Sequence, residues 1–405
     1  MKKLVFLLFF FLGIAFGQQT SQIKLSSEAT FSVITCGPGS ELYSTFGHNA
    51  FRLKDPVYNY DVVYNYGTFD FNTPFFYIKF ARGKLPYQLG RTSFKKFVYA
   101  YKYEKRWVKE QVLNLTPEQN KTLLAFLEEN YKEENRSYKY DFFYNNCATK
   151  IREIITKNFD ETIVFPEDHI TADKTFRDLI YDYVTKNSWS SFGIDIALGA
   201  VIDREATPLE YEFLPDYVFE TFKHATLKDG SPLVTAVNVI LEEPNNKQDS
   251  SSFLLSPYVI FTILMLIVLV ITAFDLKNKK RTRWLDAFLF LFTGLGGIMI
   301  LLLWFATDHS MTVYNWNVLW LMPINLLFIR KFLLKRKECK DLWKHSATLI
   351  TLIIIMLFLW LLNLQIFAFA AIPLLIMLLV RYAYVTYYFL NCKENKDISF
   401  IGSKS

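Results

Sequence analysis

Cysteine is scarce in this chain, with four among 405 residues and no two in a C-x-x-C spacing. That absence argues against a zinc or dithiol redox site. No cysteine follows the small residues around Ala15-Phe16-Gly17, so the expected mature N-terminus does not have the form of a lipid-modified one. Lys and Arg are missing from Thr307 to Trp316, and charge is sparse in the long apolar runs beyond Phe253. Those gaps speak against a wholly soluble protein.

What is present is apolar and aromatic, 52% hydrophobic residues with 18% Phe, Trp and Tyr. Met1 to Gly17 joins two lysines to the apolar run Leu4–Phe16, the pattern of a cleavable secretory signal, with the mature chain beginning near Gln18. An uncleaved anchor shares that pattern, and either one exports the domain behind it. Residues 18–252 mix charge and aromatics like a soluble domain, with a helical extension over about 160–241 and a polar, Pro-broken linker over 242–252. A transmembrane bundle over 253–390 reads as five spans, near 256–275, 285–306, 317–334, 346–363 and 366–388, with a tail over 391–405.

The charges give these spans a direction. Lys277 to Arg283 and Arg330 to Lys344 fall on one side with the tail, and the cation-free stretch 307–316 on the other, so the tail is cytoplasmic and the first domain periplasmic. The net charge of +6 is explained by these inner loops and calls for no nucleic-acid partner.

In the exported domain, Ala50–Leu53 and Asp61–Tyr66 read as strands joined by a turn at Lys54-Asp55-Pro56. That hairpin sets Asn65 beside His48, or Tyr64 or Tyr66 if the register slips by one. Thr116-Pro117 starts a scaffold helix. A second helix starts at Cys147, capped by Asn145 or Asn146, with Ile151, Ile154 and Ile155 along one face. A thiol in a helix's first turn is biased toward thiolate, and the backbone donors there can also receive an oxyanion. With His48 as base, Cys147 becomes a candidate nucleophile. Two plainer readings compete: a Cys36–Cys147 disulfide and a buried inert thiol.

Histidine before cysteine, one opening a strand and the other a helix, resembles the circularly permuted papain-like group that includes NlpC-type amidases and lecithin:retinol acyltransferase relatives. A closer resemblance rests on Gly37-Pro38-Gly39, Phe46-Gly47-His48, Tyr64 to Asp70, Tyr138 to Phe143 and Asn146 to Thr149. These are similar to the Lnb N-terminal periplasmic domain family, formerly a domain of unknown function. Gly193-Ile194-Asp195, Leu198-Gly199 with Asp203, and Thr307-Asp308-His309 through Asn315-Trp316-Asn317 to Pro323 extend the likeness into the membrane part. Cys36 departs from the pattern, which favours a small residue such as Ser there, and this keeps the bridge reading open.

The resemblance implies an α+β permuted papain-like (NlpC-type) periplasmic domain followed by an all-α transmembrane bundle of about five helices. It also implies lipoprotein N-acylation of the Bacteroidota type, in the inner membrane and without a cofactor. The donor is a phospholipid and the acceptor a diacylated lipoprotein. Cys147 and His48 then carry the chemistry, Asn65 orients the imidazole, and Asn146 caps the helix or serves the oxyanion. Phe69, Phe71, Phe75, Phe76, Tyr77 and Phe80 around Lys79, Arg82 and Lys84 suit an interfacial lipid site, or else fill a core. Tyr66 and His309 complete the candidate substrate-binding set, and Asn325, deep in the third span, must bond a neighbouring helix or line a groove. Two rivals remain: a membrane-anchored cysteine amidase or peptidase acting on the cell wall, and a non-enzymatic periplasmic assembly protein.

Overall fold

The computed structural model of the chain describes residues 23–41, 43–166, 168–171, 173–243, 253–333 and 342–401, with side chains to 391. The expected signal over 1–17, most of the linker, the basic segment 334–341 with Cys339, and the tail side chains with Cys392 lie outside the described residues.

The N-terminal domain is built on strands β1 (Thr30–Cys36), β2 (His48–Asp55), β3 (Tyr60–Thr68), β4 (Pro86–Ser93), β5 (Val108–Leu113), β6 (Ser137–Lys139) and β9 (Val234–Leu241). They form one antiparallel sheet in the order β6-β4-β3-β2-β1-β5-β9. A small pair, β7 (Ile163–Val164) with β8 (Thr226–Leu227), lies apart from it.

The period-2 alternation of β1 to β3 divides the apolar residues between two faces. Phe31, Val33, Phe51, Leu53 and Tyr64 pack on one face, and Ile34, Ala50 and Val63 on the other. Helices α3 (Pro117–Tyr131) and α4 (Cys147–Phe159) cover the first face. Thr116 and Gln119 close a capping box on α3, and Leu123, Leu124 and Leu127 are its buried stripe. On α4 the stripe is Ile151, Ile154 and Ile155, each at most 2% exposed and each worth about 1.5–3 kcal/mol of burial. Helix α2 (Phe94–Tyr103) covers the second face through Phe97, while the short α1 (Phe76–Ala81) buries no residue.

The extension is helical through α5 (Phe176–Tyr181), α6 (Trp189–Ala197), α7 (Pro208–Tyr211) and α8 (Pro215–His224). The expectation of helix as far as residue 241 is corrected here. The run Val234-Thr-Ala-Val-Asn-Val-Ile-Leu is rich in β-branched residues, and it returns as edge strand β9 on β5.

Four helices among the described residues are long and apolar enough to cross a membrane. They are α9 (Pro257–Lys277), α10 (Arg283–Phe305), α12 (Leu342–Leu361) and the first 21 residues of α13 (Ala371–Ile401). The expected third of five continuous spans is different. Residues 317–333 run back along α10 as a 3-10 turn, Trp316–Leu319, followed by the nine-residue α11 (Asn325–Leu333). Pro323, which has no N–H, interrupts the segment. Side chains take over as backbone partners: the Asn315 carboxamide accepts from Asn317 N–H and Gln365 Oε1 accepts from Trp316 N–H. Asn325 is fully buried, donating to Thr293 Oγ1 of α10 at 2.8 Å and bonding His345 Nε2 of α12 at 2.9 Å, so it joins two helices.

Near the other end of α10, Arg381 binds Asp286 at 2.6 Å and Asp275 at 2.8 Å, and Arg281 binds Asp286 at 2.8 Å. These bonds bring Arg381, ten residues into α13, to the Lys277–Arg283 end of the bundle.

At the opposite end the N-terminal domain is bolted on. Asn315 and Asn317 donate to the carbonyls of Ile196 and Asp195. Arg177 binds both Asp195 and Asp203 at 2.6 Å, and Asp203 accepts from Ile366 N–H.

Candidate active site

His48 is the first residue of β2 and lies opposite Cys36 in the sheet register. Gly47 before it has φ 80°, and a β-carbon there would lie 2.8 Å from the Cys36 carbonyl, so glycine lets the chain turn sharply into the strand. On β3 the register against β4 shifts between Asn65 and Thr68, a bulge that contains Gly67 at φ 86°. A β-carbon on Gly67 would stand 3.6 Å from Cys147 Cβ, 3.7 Å from the Tyr140 ring and 3.9 Å from the His48 ring. The bulge therefore leaves open the space where thiol, imidazole and phenol converge.

Cys147 is the first residue of α4, 7% exposed. Asn146 is its N-cap: Oδ1 accepts from Ala148 and Thr149 N–H, and Thr149 completes a capping box. The Asn146 amide donates at 2.7 Å to the carbonyls of both Phe142 and Phe213. Both of its N–H groups are thus committed, which leaves Asn146 the capping role and corrects the expectation of an oxyanion donor. The turn before it is held by Asp141, which accepts from Phe143 and Tyr144 N–H.

His48 Nε2 donates to Asn65 Oδ1 at 2.5 Å, which fixes the tautomer and leaves Nδ1 for the thiol. Burial alone pushes the Cys147 thiol up. The charge of His48, its hydrogen bond, and the N–H groups of Asn49 and Cys147 outweigh burial and bring the thiol below its ordinary value. Burial pulls His48 down, but the charge and hydrogen bond of Cys147, with the bond to Asn65, raise it above its ordinary value. Both shifts favour the charged forms, thiolate on Cys147 and imidazolium on His48. Beside it, burial and the Cys147 charge hold Tyr140 well above the ordinary phenol value, as a protonated O–H.

The structure thus brings Cys147, His48 and Asn65 together. Both Cys36 and Cys147 are free thiols, so the expected competitor, a bridge between them, is absent among the described residues. Tyr66 is corrected: it lies in the core on the other face of β3, 5% exposed and edge-on to Tyr138, because the period-2 strand sends it opposite to Asn65.

His309 sits away from the thiol, against Gly83, with Nε2 at 3.2 Å from the Ala81 carbonyl. Lys79 and Arg82 lie on and just after α1 and make no ion pair among the described residues. Asp308 pairs with Lys139 at 3.1 Å and Lys84 at 3.9 Å, and its N–H donates to Arg82 O. The hydrogen bond from Lys139, aided by Lys84 and Arg82, holds the Asp308 carboxyl below the usual range.

Sequence reading assigned no role to Tyr140, Asp141 or Ser310. Ser310 Oγ donates to Asp141 Oδ2 at 2.6 Å and so ties the outer loop to the turn that carries Cys147. The Asp141 turn had a local signal, an Asp two and three residues before the amides it accepts from. The bond to Ser310 spans 169 residues and had none.

Residues 15–173 match the family model described as the Lnb N-terminal periplasmic domain. Residues 247–394 match the model described as the Lnb transmembrane domain. Neither a curated protein nor a solved structure matches the chain. The chain is thus a membrane protein with a periplasmic-type α+β domain ahead of a helical transmembrane region.

Proposed function

Because the chain belongs to the Lnb family, we propose that its Cys147–His48–Asn65 cluster is the catalytic centre of a lipoprotein N-acyltransferase. The observation that carries this reading is a poised thiol whose supporting turn is tied to the outer end of a membrane bundle through Ser310 and Asp141. A site so anchored suits substrates whose reacting groups stay at the bilayer surface.

In the first half-reaction His48 holds the proton of the Cys147 thiol, and the thiolate attacks an ester carbonyl of a phospholipid. Negative charge on the carbonyl oxygen is met by the Cys147 N–H at the start of α4 and by the Tyr140 hydroxyl. The ester C–O bond breaks, His48 returns its proton to the departing glycerol oxygen, and a lysophospholipid leaves with the acyl group held as a Cys147 thioester. In the second half the neutral α-amine of a diacylglyceryl-cysteine attacks that thioester. Its proton passes to His48, the C–S bond breaks, and an amide-linked third chain results.

The protein then sits in the bacterial inner membrane with its first domain periplasmic and its C-terminus cytoplasmic. The bonds of Arg381 and Tyr384 of α13 at the basic Lys277–Arg283 end, from which α13 runs on outward, support that orientation. The domain is read as a permuted papain-like fold, supported by the use of both imidazole nitrogens between a helix-start cysteine and an asparagine. The assembly reading, which needed a Cys36–Cys147 bridge, loses its footing with both thiols free.

The test is mass spectrometry of the N-terminal peptide of an abundant lipoprotein from cells lacking this protein, complemented with wild type or Cys147→Ser. The expected outcome is loss of the third acyl chain, restored by wild type and not by Cys147→Ser. Triacylated lipoproteins in the deleted strain, with no second copy of the gene, would overturn the reading and favour the amidase.

A further inference from the structure

The segment after β3 turns its rings outward. In and beside α1, Phe75 is 76% exposed, Tyr77 79% and Phe80 51%, an unusual excess of bare aromatic surface for a domain with three other apolar clusters. Phe75 also holds a left-handed backbone, φ 58°, which an aromatic residue adopts only when its surroundings impose it.

Two bonds give this patch its height above the bundle. Asp308 N–H donates to Arg82 O at 2.9 Å and His309 Nε2 lies 3.2 Å from Ala81 O, while the membrane-crossing helix α10 ends only at Phe305. The C-terminal end of α1 is therefore fastened at the level where α10 leaves the bilayer. Rings at that level, with the cations Lys79 and Arg82 among them, have the chemistry of an interfacial anchor on phospholipid.

The rings also lead inward. Phe76 is 5.7 Å from Phe69, Phe69 is 5.4 Å from Tyr87, and Tyr87 stacks on Tyr140 at 4.2 Å between centroids. Tyr140 in turn shares with Cys147 the space above Gly67. A continuous aromatic file thus runs from the bilayer surface to the thiol.

We propose that α1 lies in the membrane interface and that the file Phe76–Phe69–Tyr87–Tyr140 is the track along which one acyl chain of an outer-leaflet phospholipid reaches Cys147, with Lys79 and Arg82 on its phosphate. The track rests on the acyltransferase reading, whereas the seating of α1 does not.

Two measurements on the full-length protein in phosphatidylethanolamine/phosphatidylglycerol bilayers test it. First, in a chain whose native cysteines are replaced by serine, an environment-sensitive dye is placed at Ile78→Cys and, separately, at Tyr58→Cys in the exposed β2–β3 turn, at the end of β2 opposite His48. Spin-labelled lipid is expected to quench the dye at position 78 and to spare that at 58. An unquenched dye at 78 overturns the seating of α1, whatever the protein catalyses.

Second, Tyr77→Asp and Phe80→Asp, both at exposed positions, are assayed on bilayer phospholipid and on a water-soluble short-chain ester. The expected result is a KM for bilayer donor raised about tenfold, with the soluble ester handled as by wild type. Unchanged kinetics on bilayers overturn the track. Absence of acyl transfer by wild type itself would count against the function and the track, and the quenching result would still stand for the seating of α1.

Discussion

Cys36 and Cys147 are both buried thiols of one domain, and their surroundings push them in opposite directions. Cys36 ends β1 and pairs in register with His48, yet burial drives its thiol far above the ordinary value, because Arg106 and the Tyr101 hydroxyl offset too little. Cys147 feels the same penalty and comes out below its ordinary value. The difference is what faces the sulfur. Two backbone N–H groups and an imidazole locked by Asn65 face Cys147, and Cys36 has neither. Proximity to a histidine along the sheet is not enough; the nitrogen must be aimed at the sulfur.

The strongest way to break this contrast is His48→Ala. In the folded wild type, iodoacetamide is expected to modify Cys147 even at mildly acidic pH, with labelling falling only as pH drops below the lowered thiol value, while Cys36 stays unmodified until the protein is denatured. Without His48, burial dominates at Cys147 as it does at Cys36. Labelling at pH 6 should then fall steeply, in line with a thiol returned to its ordinary range or above. Peptide mass spectrometry resolves the individual cysteines, and equal labelling of Cys147 in the two proteins would refute the ion pair.

Much of this arrangement was legible in the sequence, and the reason is locality. Asp55 and Pro56 punctuate the β2–β3 hairpin, so the position of Asn65 comes from counting back along two strands. The Asn146 cap and the Ile151, Ile154 and Ile155 stripe lie within three turns of Cys147. What was not legible depends on contacts between distant residues. Tyr66 was misassigned because neighbouring positions on a strand differ only in face, and the packing of Tyr138 and α4 decides which face is buried. The third membrane segment had the hydropathy of a continuous helix, but Pro323 and the side chains of Asn315 and Gln365 break it into a turn and a short helix. The return of residues 234–241 to the main sheet depends on β5, more than 120 residues earlier.

A smaller effect sharpens the comparison at the other side of the imidazole. Asn65→Ala removes a bond to a ring that carries charge, worth about 1.5–3 kcal/mol, so turnover should fall about 10–100-fold while the fold persists. The sign of the accompanying pH shift distinguishes orientation from simple damage. The Asn65 bond raises His48, so its loss should bring imidazolium deprotonation to lower pH, and the alkaline limit of the poised state should move down with it. A turnover loss with an unmoved alkaline limit would assign Asn65 a packing role only.

The smallest effect is expected at Asn146, which supports the thiol without touching it. Asn146→Ala removes an N-cap, a change that costs about 0.5–2 kcal/mol, and here the upper part of that range applies because the same side chain also bonds the Phe142 and Phe213 carbonyls. Asn146→Asp separates the two contributions. Its carboxylate keeps the acceptor for Ala148 and Thr149 N–H, so the cap survives, but it loses both donors and sets a negative charge beside the thiol. Urea unfolding should therefore place the Asp variant between wild type and the Ala variant in stability. Iodoacetamide labelling near pH 7 should be slower in the Asp variant than in the Ala variant, because a neighbouring carboxylate disfavours the thiolate. The reverse order of labelling would mean that the start of α4, more than the local charge, sets the reactivity of Cys147.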